Sequence, residues 1–135
     1  MSKEITDSLL KRHDLAIGSF YFHQHHMVAE IKEGVTCTYE QAKDMLALGK
    51  KYYGNTKPFV YISNRKNSYS FDPTSHFKTM SMFPNLKGYG VVVYDRIKLD
   101  IAKMEHSFVK ITVPARIFDS LDHAIAWVDE LIFMD

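Results

Sequence analysis

The run Pro58-Phe59-Val60-Tyr61-Ile62-Ser63 constrains this chain most. Four apolar residues follow one another without alternation. The chain then turns polar at once, through Asn64, Arg65, Lys66, Asn67, Ser68, Tyr69 and Ser70. A short continuous apolar run bounded by turn-forming residues is the pattern of a strand covered on both faces, as in a parallel sheet. Pro58 has no N–H, which a strand tolerates at its first residue. Asp72-Pro73 is a helix-start signal, because aspartate caps well and proline suits the first helical position. The stretch reads as a buried strand, a polar loop and a helix N-terminus. Open α/β folds favour that junction for ligand or partner contacts.

The rest of the chain is consistent with such a sheet. Ala16, Ile17, Phe20, Tyr21 and Phe22 predict one strand, and Met27 to Lys32 a second, with His23-Gln24-His25-His26 as the turn between them. So short a connection requires an antiparallel hairpin, since a parallel return takes about a dozen residues. Residues 1–14 are mostly polar and fit either a turn of helix or an outlying strand.

Thr38-Tyr39-Glu40-Gln41 is a capping box, in which the Thr38 hydroxyl accepts from the backbone N–H three residues on. The helix it opens carries Ala42, Met45, Leu46, Gly49, Tyr52 and Tyr53 at helical spacing, has Lys50 and Lys51 in its last turn, and ends at Gly54. After Pro73, Phe77, Met80 and Phe83 mark a short helix stopped by Pro84. Gly88-Tyr89-Gly90-Val91-Val92-Val93-Tyr94 is the clearest strand, because three adjacent valines favour an extended backbone. Asp95 caps a further helix with Ile97, Ile101 and Met104 on one face. Ala115–Phe118 is the last strand. Asp119 or Ser120 caps a final helix whose apolar face is Leu121, Ala124, Ile125, Val128, Leu131 and Ile132, with Trp127 beside it. The predicted order is β-β-α-β-α-β-α-β-α: an α/β fold in one domain, with a mostly parallel mixed sheet and its first strand antiparallel to the rest.

Composition narrows the function classes. Seventeen basic residues face sixteen acidic ones, for a formal charge of +1. That balance gives no electrostatic footprint for nucleic acid or an anionic membrane. Cys37 is the only cysteine, which excludes a disulfide framework and a thiolate metal cluster. The opening Met1-Ser2-Lys3-Glu4 lacks the apolar run of a signal peptide, and no apolar stretch approaches membrane-spanning length. The expectation is a cytoplasmic protein without membrane insertion and without a cofactor.

Three features together resemble the STAS and SpoIIAA-like family, the fold of bacterial anti-sigma-factor antagonists. They are the opening hairpin with its capped helix, the strand Phe59–Ser63 leading into a serine-bearing loop, and the close of the chain. That close is Ala115-Arg116-Ile117-Phe118-Asp119-Ser120-Leu121-Asp122-His123-Ala124-Ile125-Ala126-Trp127. It is similar to the Phe-Asp-x-x-x-x-Ala-x-x-Trp tail of small SpoIIAA-like proteins.

The resemblance implies a non-enzymatic regulatory domain that meets a protein partner through the loop 64–72 and the helix after it. In the antagonists a serine at the start of that helix is phosphorylated by a partner kinase. Ser68 and Ser70 stand in the corresponding loop here. The Asp-Ser-Ser-Gly type of motif is replaced by Asn64-Arg65-Lys66-Asn67-Ser68-Tyr69-Ser70-Phe71-Asp72, which places the chain nearer the SpoIIAA-like branch than the antagonists.

The candidate contact residues are therefore Asn64, Arg65, Ser68, Tyr69, Ser70 and Asp72. A phosphate on Ser70 would gain from a helix N-terminus and from Arg65, and lose by repulsion from Asp72. The plainer alternative has Ser68 and Ser70 satisfying local backbone groups. Arg65 can grip a carboxylate or phosphate bidentately, or stand as a solvated surface charge while Asn64 ties the loop to a neighbour.

His23, His25 and His26 lack the further ligands that zinc requires, so a solvated turn is the better account. Cys37 precedes a helix, where a thiol pKa can fall, or is simply a half-buried small residue. A second function class is a binder of an apolar or lipid-like small molecule, with Phe77, Met80, Met82 or Phe83 walling a pocket beneath the second helix. Tyr52, Tyr53, Met82, Phe83 and Trp127 are candidates for an exposed apolar face, and so for a homodimer.

Overall fold

The computed structural model describes residues 9–67, 70–71, 82–108 and 113–133. The helix expected after Asp72-Pro73 lies outside them. The described elements are β1 (Leu9–Leu15), β2 (Gly18–His23), β3 (His26–Ile31), β4 (Thr36–Cys37), α1 (Tyr39–Tyr53), β5 (Phe59–Asn64), β6 (Ser70–Phe71), β7 (Leu86–Val92), α2 (Arg96–Phe108), β8 (Ala115–Phe118) and α3 (Leu121–Phe133).

Six strands form one mixed sheet in the order β1-β2-β3-β5-β7-β8, and β4 pairs with β6 in a separate two-stranded ladder. β2 runs antiparallel to both β1 and β3, while β3, β5, β7 and β8 are parallel. The expected α/β class and mixed, mostly parallel sheet are present. The strand at Phe20–Phe22 does run against the parallel set.

Two details of the opening differ. Residues 9–15 are a full strand, and a turn at Ala16-Ile17 separates it from β2, so the chain opens with a three-stranded meander. Gly18 explains the break. A Cβ there would stand 2.3 Å from the Glu30 carbonyl oxygen, so only glycine allows β2 to start this close to β3. The histidine turn is also tighter than expected. His23 ends β2 and His26 begins β3, and their rings stack at 4.1 Å. The Tyr53 hydroxyl, from the end of α1, donates to the His23 and His26 carbonyls at 2.7 and 2.8 Å and locks this hairpin onto the helix.

Side-chain alternation along the strands sorts the core into two faces. Met27, Ala29, Ile31 and Phe59 pack with Ala42, Met45 and Leu46 of α1, while Tyr89, Val91 and Val93 pack with Ala102 of α2. Val28, Val60, Ile62, Val92 and Phe118 take the opposite face, under Ala124, Trp127 and Val128 of α3. The three valines at 91–93 are thus buried on both sides, as their sequence predicts.

The expected caps form. Thr38 Oγ1 accepts from Gln41 N at 3.2 Å, Asp95 Oδ1 from Lys98 N at 2.8 Å, and Ser120, not Asp119, caps α3 through His123 N at 3.2 Å. Gly54 closes α1 at φ 60°, its N–H donating to the Lys50 carbonyl.

The apolar face of α2 is the outer one. Ile97, Ile101 and Met104 share a face of α2, but that face points outward, and Ile97 is 73% exposed. Leu99 and Ala102 meet the sheet instead. The small Ala102 lets α2 lie close against Tyr89, Val91 and Val93, so the bulkier face cannot be the buried one.

Candidate functional site

The site is built where β3, β5 and β7 end. The parallel register sets Ala29 beside Ser63 and Asn64 beside Val92, so the next residues along, Glu30 and Asn64, share a face at the carboxyl edge. Asn64 is 2% exposed. Its amide Nδ2 donates to Glu30 Oε2 at 2.9 Å, and its Oδ1 accepts from the Tyr94 hydroxyl at 2.6 Å. Both ends of the amide are thereby used, which is what a buried side-chain amide requires.

Tyr94 follows β7, so three consecutive parallel strands are tied by one short chain of side chains. Burial raises the Tyr94 phenol above its ordinary pKa; the Asn64 bond works against this, and the charge of Glu30 adds to it. Lys66 Nζ approaches Glu30 Oε2 at 3.8 Å from the solvent side.

The loop that leaves this point is fastened at its described residues. Arg65 N donates to the Val92 carbonyl at 2.9 Å, and Asn67 Nδ2 to the Ile31 carbonyl at 3.1 Å. Lys98 of α2 reaches the Lys66 carbonyl at 3.5 Å. At the far end the backbone of Ser70 and Phe71 pairs with Thr36 and Cys37 as the β4–β6 ladder.

Of the expected contact residues, Asn64 and Arg65 stand together at the base of the loop. Ser70 is placed by its backbone in β6. Ser68, Tyr69 and Asp72 lie outside the described residues. Arg65 is 5% exposed, so the solvated-charge alternative for it does not hold. Its backbone follows a central strand into the edge, and its side chain is enclosed there. Asn64 does tie its segment to neighbours. The solvent-facing cation of the loop base is Lys66, which sequence reasoning passed over. Nor did it foresee Glu30 and Tyr94. Both are remote from Asn64 in sequence and meet it only through the sheet register.

The sheet also departs from the expected crevice. Strands β3, β5, β7 and β8 succeed one another in a single direction across the sheet. Among the described residues there is no reversal of strand order, and it is such a reversal that opens a binding crevice in doubly wound folds.

The other candidates are placed as follows. Cys37 of β4 pairs with Phe71 of β6, and burial pushes its thiol pKa up, not down as a helix N-terminus would. Among the described residues no group of three or more His, Cys, Asp or Glu side chains could hold a metal ion, and no helix is long and apolar enough to cross a membrane. Phe83 packs edge-on against Phe59 at 5.4 Å and lies against Gly49, and Met82 joins the same core. Phe77 and Met80 lie outside the described residues.

The side chains expected to form an exposed apolar face are mostly interior. Tyr53, Phe83 and Trp127 are buried, and Tyr52 and Met82 are half-buried. Among the described residues the exposed large apolar side chains are Leu9, Leu10, Tyr94, Ile97, Ile101, Met104 and Phe133.

A cleft of about 730 Å³ lies elsewhere, along β8 between the first turn of α2 and the outer side of α3. Comparison with protein-family models, curated proteins and solved structures gave no match.

Proposed function

We propose that this protein is a non-enzymatic regulatory domain of the STAS and SpoIIAA-like type, which contacts a protein partner through the loop 64–72 and the helix that follows. The observation that carries this reading is the fastening of the loop at both ends. Asn64, Arg65 and Asn67 hold its base to β3 and β7, and the β4–β6 ladder holds Ser70 and Phe71. Residues anchored before binding lose less conformational entropy on meeting a partner, which favours recognition through this segment. The mixed sheet, with its antiparallel β2 and parallel β3-β5-β7-β8, is consistent with the same type.

In this reading Asn64 and Arg65 shape the loop from beneath, and the partner meets Lys66 and the residues beyond it. Phosphorylation of Ser68 or Ser70 would add roughly two negative charges to the loop that carries Lys66 and switch the surface. Mass measurement and phosphosite mapping on protein from its own cell test the switch. Partial phosphate on either serine is the expected result. An unmodified mass in every growth condition removes the switch from the proposal. Cross-linking from a photoreactive residue at position 66 tests the contact itself, and the absence of any cross-linked protein would overturn it.

A further inference from the structure

The cleft beside β8 combines an open strand edge with a poised cation. Among the described residues β8 pairs in the main sheet with β7 alone. The Pro114 and Phe118 carbonyls accept from Tyr89 N and Val93 N at 2.9 and 3.0 Å. Backbone groups point to alternate sides along a strand, so Ala115 and Ile117 direct their N–H and C=O groups to the unpaired side. The cleft takes in the second half of β8, with Leu99 and Ile117 on the α2 side, Phe118 and Trp127 on the α3 side, and Val93 to Arg96 beyond the end of β7.

Arg116 lies between these two sides. Its guanidinium sits 5.1 Å from the centre of the Phe118 ring and 6.0 Å from that of Trp127. Among the described residues no carboxylate reaches ion-pair distance of it. Of the acids that line the cleft, Asp119 bonds His123 at 3.1 Å, Asp95 caps α2, and Glu130 stands on α3. An arginine stacked on aromatic rings keeps its in-plane N–H groups available for a carboxylate.

We infer that the β8 edge binds an extended segment of a partner protein by strand addition, with an acidic side chain opposite Arg116 and apolar side chains beside Ile117. The backbone supplies main-chain hydrogen bonds, and the alternating faces supply the sequence preference. A carboxylate on the face shared with Phe118 and Trp127 meets Arg116, and the next side chain falls toward Leu99 and Ile117. Glu130 also lines the cleft, so a segment acidic at every position is disfavoured. Tyr94 borders this cleft and also bonds Asn64, but the inference stands whether or not the loop 64–72 has a partner.

Amide spectra of the ¹⁵N-labelled full chain test the inference with two acetylated, amidated peptides, Thr-Val-Glu-Val-Thr and Thr-Val-Lys-Val-Thr. The Glu peptide is expected to shift the Ala115 and Ile117 amides and to bind about tenfold more tightly than the Lys peptide, because opposite charges across a strand pair attract and like charges repel. The Arg116→Glu variant, exposed and so able to fold, should invert that preference; its thermal melt serves as the folding control. The inference is overturned by undisturbed Ala115 and Ile117 amides at millimolar peptide, or by equal binding of the two peptides. It is also overturned if N-acetylglutamate amide reproduces the shifts, since the site would then take a free carboxylate.

Discussion

Replacing Asn64 by alanine should destabilise the protein far more than a typical loop-end substitution. Two hydrogen bonds disappear. The bond to Glu30 involves a carboxylate whose side chain is only 18% exposed, and such charged bonds contribute about 1.5–3 kcal/mol. The bond from Tyr94 should contribute about 0.5 kcal/mol, at the low end, because Tyr94 is 51% exposed and its hydroxyl can turn to water.

The expected loss is then about 2–3 kcal/mol, which for a chain of this length lowers Tm by roughly 10 °C. Urea unfolding followed by circular dichroism measures it. A double-mutant cycle with Glu30→Ala should give a coupling of about 1 kcal/mol or more between the two side chains. Amide exchange in residues 65–67 should accelerate in the variant, since their anchor is gone. A loss below about 0.5 kcal/mol, or no coupling to Glu30, would refute the argument that this network holds the loop base.

Other substitutions and titrations probe the same geometry. Tyr94 should ionise above pH 10.0 in an absorbance titration at 295 nm, a step that the Tyr94→Phe variant lacks. Because its folded pKa is raised, the stabilising contribution of Tyr94 is complete below the unfolded value and is lost as pH rises through the folded one. Cys37 should react with iodoacetamide at pH 8 at least about tenfold more slowly in the folded protein than in urea, since burial keeps it a thiol. A folded-state rate equal to the unfolded one would contradict that placement. Gly18→Ala should cost about 3 kcal/mol by urea titration, because its Cβ would meet a backbone oxygen that cannot move aside.

Local chemistry was legible where a few adjacent residues decide the outcome. Thr38 with Gln41, Asp95, and Ser120 form their caps because capping needs only a side-chain oxygen and a nearby N–H. The unbroken runs at Phe59–Ile62 and Val91–Val93 announced two-sided burial, since no polar face was left for solvent. Leu9–Leu15 gave no such signal. It is an edge strand whose residues are mostly exposed, so nothing in its pattern separates it from a helix or a loop. The β4–β6 ladder is too short to show a period at all.

By itself, then, the sequence determined the class of the fold, the helix ends and the location of the loop after β5. The tertiary structure decided which side chains meet there. Glu30, Asn64 and Tyr94 come together through the parallel register of β3, β5 and β7, and register is a relation between strands that no single strand carries. Tertiary packing also chose the buried face of α2. Ile97, Ile101 and Met104 share a face, as their spacing predicts, but Ala102 permits closer approach to the sheet, and the bulkier face was left outside. It likewise decided the environment of Arg65, which is buried because its backbone continues a central strand, and that of Arg116, which is exposed because β8 is an edge. Two arginines that look alike in sequence differ because one follows the middle of the sheet and the other lies on its rim.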